Sequence, residues 1–367
     1  MPRLGFIRRL TVALVATAVV LLGAPAPAEA YSSDPIGPTG WEPNGAVLAV
    51  TSAGGRVFVG GEFTGGVAAL DASTGQLLWT GHADGPVRAL GVSADGTHLI
   101  AGGNFKTYDG ANHRRLASVR VGTGVAEPGW RATVPAYVRD LVVHGNTVYF
   151  GGQFAKHNGI EQRSLGAVDV TTGNPVTSFT TATDGKVYGL WVDGGRLFIA
   201  GRFAIAGRQP RSNLASVTLA SNSLDSWRPA PACGGCNLQW DILADEHRVY
   251  TVGRNGGAVV AYDSVTGVQL WRTTANGDAQ ALALVGGLLY VGGHFAEIGQ
   301  PRVPRQIVAA LNPATGAVDP AFVPRFVTSY PGVWALHGTA DRLYVGGYFT
   351  GAGPTPPRRF PYFAMFG

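Results

Sequence analysis

The stretch that decides the fold is Gly151-Gly152-Gln153-Phe154, because close copies of it return along the whole chain. Five copies keep the pattern Gly-Gly-x-Phe, and two weaker ones depart from it at one or both ends. The other six copies are Gly60-Gly61-Glu62-Phe63, Gly102-Gly103-Asn104-Phe105, Ala200-Gly201-Arg202-Phe203, Val252-Gly253-Arg254-Asn255, Gly292-Gly293-His294-Phe295 and Gly346-Gly347-Tyr348-Phe349. Successive copies end 42, 49, 49, 52, 40 and 54 residues apart. A period of about 40–50 residues with glycine-rich turns is typical of β-propellers, in which each repeat forms one blade.

One repeat, residues 184–228, shows the strand pattern of a blade. Two short apolar runs, 187–192 and 197–199, flank the pair Gly194-Gly195, which suits a tight hairpin turn. Two further runs follow, 214–219 and a last one that closes on Trp227. No segment beyond the N-terminal leader shows the 3.6-residue periodicity of an amphipathic helix. The sequence therefore predicts an all-β fold, a seven-bladed β-propeller of four-stranded antiparallel blades.

An aromatic residue near the end of each fourth strand indicates how the ring closes. Six of these residues follow their own copy of the repeat: Trp79, Trp130, Phe179, Trp227, Trp271 and Phe322. The seventh, Trp41, precedes the first copy, and the C-terminal segment stops after a third strand. Because a cut ring would expose two unpaired strand edges, we expect an N-terminal strand near Gly40-Trp41 to complete the sheet of residues 333–366, with Trp41 close to Phe363.

Two segments resemble the tryptophan-docking motif of quinoprotein-type (PQQ-like) propellers: residues 69–79, ALDASTGQLLW, and residues 261–271, AYDSVTGVQLW. The resemblance implies that each Trp packs between neighbouring blades. Longer copies, such as residues 292–322, resemble delta-60 repeats of bacterial propellers, and the whole pattern is similar to that of WD40-like propellers. The best-known quinoprotein enzymes have adjacent cysteines and acidic metal ligands beside the cofactor. In this chain Gly234-Gly235 separates the cysteines and no acidic cluster is present, so we expect no cofactor and no metal.

The first 30 residues have the pattern of a secretory signal peptide. Arg3, Arg8 and Arg9 precede an apolar run over residues 10–23, and Ala28-Glu29-Ala30 offers a cleavage site. We therefore expect a bacterial protein that is exported, secreted or attached to the cell envelope. Residues 31–367 are predicted to form one propeller domain that is monomeric. No later apolar run reaches about 18 residues, which predicts no membrane span.

The charge and the cysteines exclude some functions. Loss of the three arginines and one glutamate of the leader lowers the formal net charge from +5 to +3. No basic run is interleaved with aromatic residues, so we expect no nucleic-acid partner. Cys233 and Cys236 are the only cysteines, and in an exported chain Cys-Gly-Gly-Cys favours a local disulfide. A redox pair is the alternative, but such a pair favours a helix N-terminus, and a strand is predicted to follow Cys236.

Two sets of positions are predicted to converge on one mouth of the central channel, because the first strand begins where the second ends. The first set precedes each anchor Phe: Glu62, Asn104, Gln153, Arg202, Arg254, His294 and Tyr348. The second set occupies the second position of each first strand: Leu48, Arg88, Arg139, Tyr188, Trp240, Gln280 and Trp334. Arginine, aromatic and amide side chains suit a ligand site, although polar residues at a propeller rim are also satisfied by water or loop backbone.

Two carboxylates interrupt a pattern of small residues in the first strands. Asp140 and Asp241 stand where the other five blades have Ala or Gly. Burial of an unpaired carboxylate costs several kcal/mol, so each must be hydrogen-bonded or paired, for example with Arg88 or Arg139. A structural role is favoured; acid–base chemistry and a cation site are the alternatives.

The sequence favours an exported binding scaffold whose mouth engages an extracellular protein, a glycan or a small ligand. No Gly-x-Ser-x-Gly, His-Glu-x-x-His or phosphate-loop motif is present. Two alternatives remain open. One is an enzyme that uses the same face, either a quinoprotein-like oxidoreductase or a carbohydrate-active lyase or hydrolase, and the other is a structural component of the cell envelope.

Overall fold

The computed structural model describes residues 30–230, 238–254, 257–353 and 360–367, with the backbone alone for residues 328–331. Leader residues 1–29 and the predicted Cys233–Cys236 disulfide lie outside the described residues. The regular secondary structure of the described residues consists of β-strands, which form seven antiparallel blades around a channel and three short surface hairpins. No helix in these ranges is long and apolar enough to cross a membrane. The predicted seven-bladed propeller is confirmed.

Four blades contain four paired strands, ordered from the channel outward. Blade 1 comprises Val47–Ala53, Arg56–Gly61, Val67–Asp71 and Leu77–Thr80, and blade 4 comprises Lys186–Asp193, Arg196–Arg202, Leu214–Thr218 and Ser223–Leu224. Blade 5 comprises Gln239–Ala244, Arg248–Gly253, Val259–Asp263 and Gln269–Thr273, and blade 7 comprises Phe326–Thr339, Arg342–Ala352, Phe363–Phe366 and Pro35–Gly37.

Blades 2, 3 and 6 have three paired strands and only a single bridge where the fourth was predicted. Their strands are Val87–Val92, His98–Gly103 and Leu116–Arg120; Tyr137–His144, Thr147–Gln153 and Leu165–Asp169; and Asp278–Val285, Leu288–His294 and Val308–Leu311. The bridges are Val119–Ala126, Val168–Pro175 and Leu311–Val318. Each of these outer segments contains a proline (Pro128, Pro175 or Pro320), which lacks the N–H that a longer strand pairing needs. Blades 2, 4 and 6 also carry the short hairpins Thr107–Tyr108 and Ala111–Asn112, Ile205–Ala206 and Gln209–Pro210, and Glu297–Ile298 and Val303–Pro304.

The N-terminal strand closes the ring, as predicted. Pro35–Gly37 pairs antiparallel with the third strand of blade 7, with Pro35 opposite Phe366 and Gly37 opposite Met365. The strand therefore lies ahead of Trp41 rather than around it. Trp41 turns inward, where its ring centroid lies 6.2 Å from that of Phe363 and 5.5 Å from that of Phe63 in blade 1. The aromatic contact and the strand pairing together join the two ends of the chain.

Close packing explains both glycines of the repeated pair: the first packs against the next blade and the second within its own blade. A Cβ on the first glycine would overlap the innermost strand of the next blade: on Gly60 it would lie 2.8 Å from Val87 Cγ1, and on Gly102 2.7 Å from Val138 Cγ1. A Cβ on the second glycine would overlap backbone of the same blade, as it would at Gly103 against the Pro86 carbonyl. The anchor phenylalanines are buried. These positions are therefore architectural.

Four docking tryptophans connect blades 1, 2, 4 and 5 with their successors. Each indole Nε1 donates to a backbone carbonyl of the next blade, and the pairs are Trp79–Val121 at 3.0 Å, Trp130–Val170 at 3.0 Å, Trp227–Asp263 at 3.0 Å and Trp271–Pro313 at 2.9 Å. The ring of Trp79 lies against Gly124, whose φ is +72° and where a Cβ would lie 2.8 Å from Trp79 Cζ3. The packing role that the quinoprotein resemblance implied for these tryptophans is confirmed.

Candidate functional site

A β-bulge directs one side chain of every blade into the channel. In each innermost strand the pairing with the second strand skips one residue at the same position. The skipped residues are Leu48, Arg88, Arg139, Tyr188, Trp240, Gln280 and Trp334, which are the second predicted set. All seven line one cavity of about 460 Å³. Bulges re-aim side chains in this way because the extra residue has no partner in the ladder.

Arg139 of blade 3 lies within a cluster of aromatic rings from blades 4, 5 and 7. Its guanidinium carbon is 5.6 Å from the ring centroid of Tyr188, 5.4 Å from that of Trp240 and 5.1 Å from that of Trp334. The rings also contact one another edge to face, with centroids 5.1 Å apart for Tyr188 and Trp240 and 5.5 Å apart for Trp240 and Trp334. We call the rings of Tyr188, Trp240 and Trp334 the aromatic cage. Cation–π contacts stabilise the guanidinium there, most strongly where water is excluded.

Arg139 is a buried cation without an ion-pair partner among the described residues. None of the ion pairs among the described residues includes Arg139. Burial lowers the pKa of Arg139 to about 10, and the neighbouring positive charge of Arg88 contributes to the shift. The guanidinium is therefore still protonated at neutral pH, and it would be stabilised by an anion at the mouth.

Beside the cage, a short chain of polar contacts connects three blades. Arg88 Nη2 of blade 2 donates to Glu62 Oε1 of blade 1 at 3.0 Å, and the Tyr348 hydroxyl of blade 7 donates to Glu62 Oε2 at 2.6 Å. Burial and the hydrogen bond to Glu62 raise the pKa of Tyr348 to about 12. Both oxygens of Glu62 are thus already bonded to residues other than Arg139.

The first predicted set reaches the mouth only in part. Glu62 and Tyr348 contact the channel through Arg88, but none of the seven members of this set lines the cavity. Gln153, Arg202 and Arg254 are exposed, and Asn104 and His294 are half-buried at the rim. A ligand-binding role for these rim residues remains a prediction.

Asp140 and Asp241 connect neighbouring blades through backbone hydrogen bonds. Asp140 accepts the N–H of Leu141 at 2.8 Å and that of Leu190, in blade 4, at 2.7 Å. Asp241 likewise accepts the N–H of Ile242 and that of Leu282, in blade 6, both at 2.8 Å. Each carboxylate therefore has both oxygens occupied by protein donors, which is the structural arrangement that the sequence favours. The sequence pattern could not show that the donors belong to the next blade.

Three titratable side chains buried in the channel wall have pKa values shifted from their ordinary ones. Burial raises the pKa of Asp140 to about 7, with a further contribution from the charge of Asp241, and burial raises the pKa of Asp241 to about 6. His337 of blade 7 is hydrogen-bonded through Nε2 to Ser52 Oγ of blade 1 at 2.8 Å. Burial lowers the pKa of His337 to about 4. The two aspartates bind their protons more tightly in the folded state, whereas the histidine binds its proton less tightly.

We expect the double variant Asp140→Asn/Asp241→Asn to gain stability relative to the wild type as the pH rises from 4 to 8. An Asp whose pKa is raised by folding stabilises the protein most below its unfolded value near 4, and it loses that contribution as the pH rises through the folded value. The difference in unfolding free energy between the two proteins should therefore change by about 3 kcal/mol or more across this range. The contribution of His337 to the pH dependence cancels in this difference, because both proteins contain this residue. Urea unfolding at stepped pH measures it, and parallel pH curves would contradict the assignment.

No cluster of three or more His, Cys, Asp or Glu side chains placed to hold a metal ion occurs within the described ranges. The ring of seven blades, the docked tryptophans and the lined channel define the class of the protein: it is a propeller of tryptophan-docked repeats. The family model for outer membrane protein assembly factor BamB matches residues 41–205 and 161–320, which together span more than half of the chain. The chain therefore belongs to this family of PQQ-like propeller repeat proteins. Membership in the delta-60 repeats remains a prediction.

Solved propellers are similar in fold at low sequence identity. The structure of U3-55K matches with a TM-score of 0.66 and 11% identity, covering 92% of this chain and 99% of that one. RRP9 WD40 repeats match with a TM-score of 0.62 and 12% identity, covering 92% and 98%. The WD40 propeller domain of Doa1 matches at 0.59 and 12%, covering 92% and 96%. A search of curated proteins finds no match. These structures are similar in architecture alone.

Proposed function

We propose that this protein is an exported binding scaffold that takes its ligand into the mouth of the channel. The observation that carries the proposal is the set of hydrogen-bond donors there without acceptors. Arg88 Nε, Trp240 Nε1 and Trp334 Nε1 are buried and have no partner within the described residues. A buried donor without an acceptor costs about 1–3 kcal/mol, so three beside one cavity favour a ligand or bound water that supplies the acceptors.

The size and chemistry of the cavity support the same function. About 460 Å³ lies within the range of ligand pockets, and aromatic side chains with a few polar groups are the usual lining of such sites. The leader sequence supports export, because a basic start and an apolar run precede small residues. The matched family is named for an outer membrane protein assembly factor, which is in line with a role in binding rather than catalysis.

We expect Trp334→Ala to weaken ligand binding by about 10-fold or more, because a buried aromatic residue at the centre of a site usually contributes over 1.4 kcal/mol. The ligand is first found by a melting-temperature screen of residues 31–367 with sugars, sugar acids, aromatic acids, amines and short peptides. Its affinity is then measured by calorimetry. Leu270→Ala is the matched control, since Leu270 is 47% exposed on the outer strand of blade 5. Equal loss in both variants, or no stabilising ligand at all, would contradict binding at the mouth.

A further inference from the structure

The aromatic cage surrounds the guanidinium of Arg139, which determines what the residue can still bind. Three rings lie within 5.6 Å of the guanidinium carbon, so aromatic surfaces cover much of this group. The N–H donors of a guanidinium lie in the plane of the group, where they match the two oxygens of a carboxylate. The carboxylate next to it in the chain, Asp140, is occupied by the backbone N–H groups of Leu141 and Leu190.

A second arginine at the mouth is only partly neutralised. Arg88 donates through Nη2 to Glu62, but its Nε is buried without an acceptor in the described part of the chain. Glu62 is shared with the Tyr348 hydroxyl. Only one of the two guanidinium groups at the mouth, that of Arg88, has an ion-pair partner among the described residues. Asp140 interacts electrostatically with Arg139, but backbone N–H groups occupy both of its oxygens. The indole N–H donors of Trp240 and Trp334 add to the surplus of donors.

We propose that the mouth binds a carboxylate carried on a ring-sized molecule, with Arg139 as the principal contact and Arg88 beside it. This inference rests on the proposed function and names the chemical class of its ligand. The carboxylate would supply acceptors for the buried donors and an ion-pair partner for Arg139. The ring would occupy the channel beside the aromatic side chains, in a cavity of about 460 Å³. A sugar acid and an aromatic acid share this chemistry.

Matched pairs of probes measure the contribution of the carboxylate to binding. Glucuronate is compared with glucose, and benzoate with benzamide, by calorimetry on the wild-type chain of residues 31–367. We expect the acid of at least one pair to bind about 10- to 100-fold more tightly than its neutral partner, the usual range for a charged hydrogen bond. The pair that responds identifies the ring as a sugar or an aromatic ring. The preference should fall only slightly when the salt concentration is raised from about 0.05 to about 0.5 M, because salt screens a buried charge pair much less than an exposed one.

Substitutions of Arg139 test whether this residue causes the preference for the acid over the neutral probe. Arg139→Met should remove the difference between acid and neutral probe while filling a similar volume, and Arg139→Lys should retain part of it, because the charge remains without the planar fork. Arg272→Met is the control, since Arg272 is exposed on the outer strand of blade 5. Far-UV circular dichroism and the melting temperature verify folding. If Arg139→Met does not fold, Arg139→Lys and the probe pairs on the wild type still test the carboxylate assignment.

The outcomes separate this inference from the proposed function. Equal binding of acid and neutral probes, or unchanged preference in a folded Arg139→Met, overturns the carboxylate assignment. If a neutral ligand from the screen then depends on Trp334, the proposed function stands and only the ligand class is wrong. If nothing binds at the mouth, both are overturned.

Discussion

Replacing Gly103 with Ala should lower the free energy of unfolding by about 3 kcal/mol or more, or prevent folding altogether. The added Cβ would overlap the Pro86 carbonyl and lie 2.9 Å from Val87 Cα, both in the backbone at the start of the same blade's innermost strand. These atoms cannot move aside as a flexible side chain can, so the strain falls at or above the upper end for overpacked sites. Urea unfolding followed by circular dichroism measures the loss.

Gly122→Ala is the matched control for this experiment. Gly122 follows the third strand of the same blade, has no heavy atom within 4 Å of an added Cβ, and does not require a positive φ. Alanine there should change stability by less than about 0.5 kcal/mol, as surface substitutions usually do. Similar losses at Gly103 and Gly122 would show that the Gly-Gly pair does not act through close packing of the strands.

Trp41→Ala should destabilise the protein by about 3–5 kcal/mol, the range found for large aromatic residues removed from a core. Trp41 is 9% exposed and contacts both Phe63 of blade 1 and Phe363 of blade 7. Its removal would weaken the contact that joins the first and last blades, beside the strand pairing of Pro35–Gly37. The measurement is the unfolding free energy of residues 31–367.

Trp191→Ala is the control for the closure prediction, because the Trp191 side chain is 41% exposed and belongs to none of the buried core clusters. It should lose much less stability than Trp41→Ala. If the two variants unfold at the same denaturant concentration, Trp41 contributes no more to ring closure than an exposed indole does, and the strand pairing alone holds the ends together.

The sequence predicts the blade count, the closure and the tryptophan docking because each depends on a repeated local signal. The Gly-Gly-x-Phe spacing defines one blade, and the position of Trp41 ahead of the first copy indicates where the ring is cut. Three blades lack a paired fourth strand because prolines such as Pro128 and Pro175 lie in these outer segments. The repeat pattern alone does not take these prolines into account.

The site is less predictable because its contacts cross the channel. The second predicted set does converge on one cavity, since equivalent positions of a ring must converge. Its role in ligand binding remains a prediction. Nothing in the spacing shows that Arg139 of blade 3 reaches Trp240 of blade 5 and Trp334 of blade 7, which depends on side-chain length and on the width of the channel. Nor does it show that Asp140 accepts an N–H from the adjacent blade.

The seven bulges separate the information for folding from the information for recognition. A bulged residue has no ladder partner, so its side chain can be exchanged without disturbing the strand pairing of its blade. One residue in each repeat is thereby released from the constraints that fix the glycines, the anchor phenylalanines and the docked tryptophans. Duplication and divergence of a single blade sequence can diversify the mouth one residue at a time, while the scaffold inherits its stability unchanged.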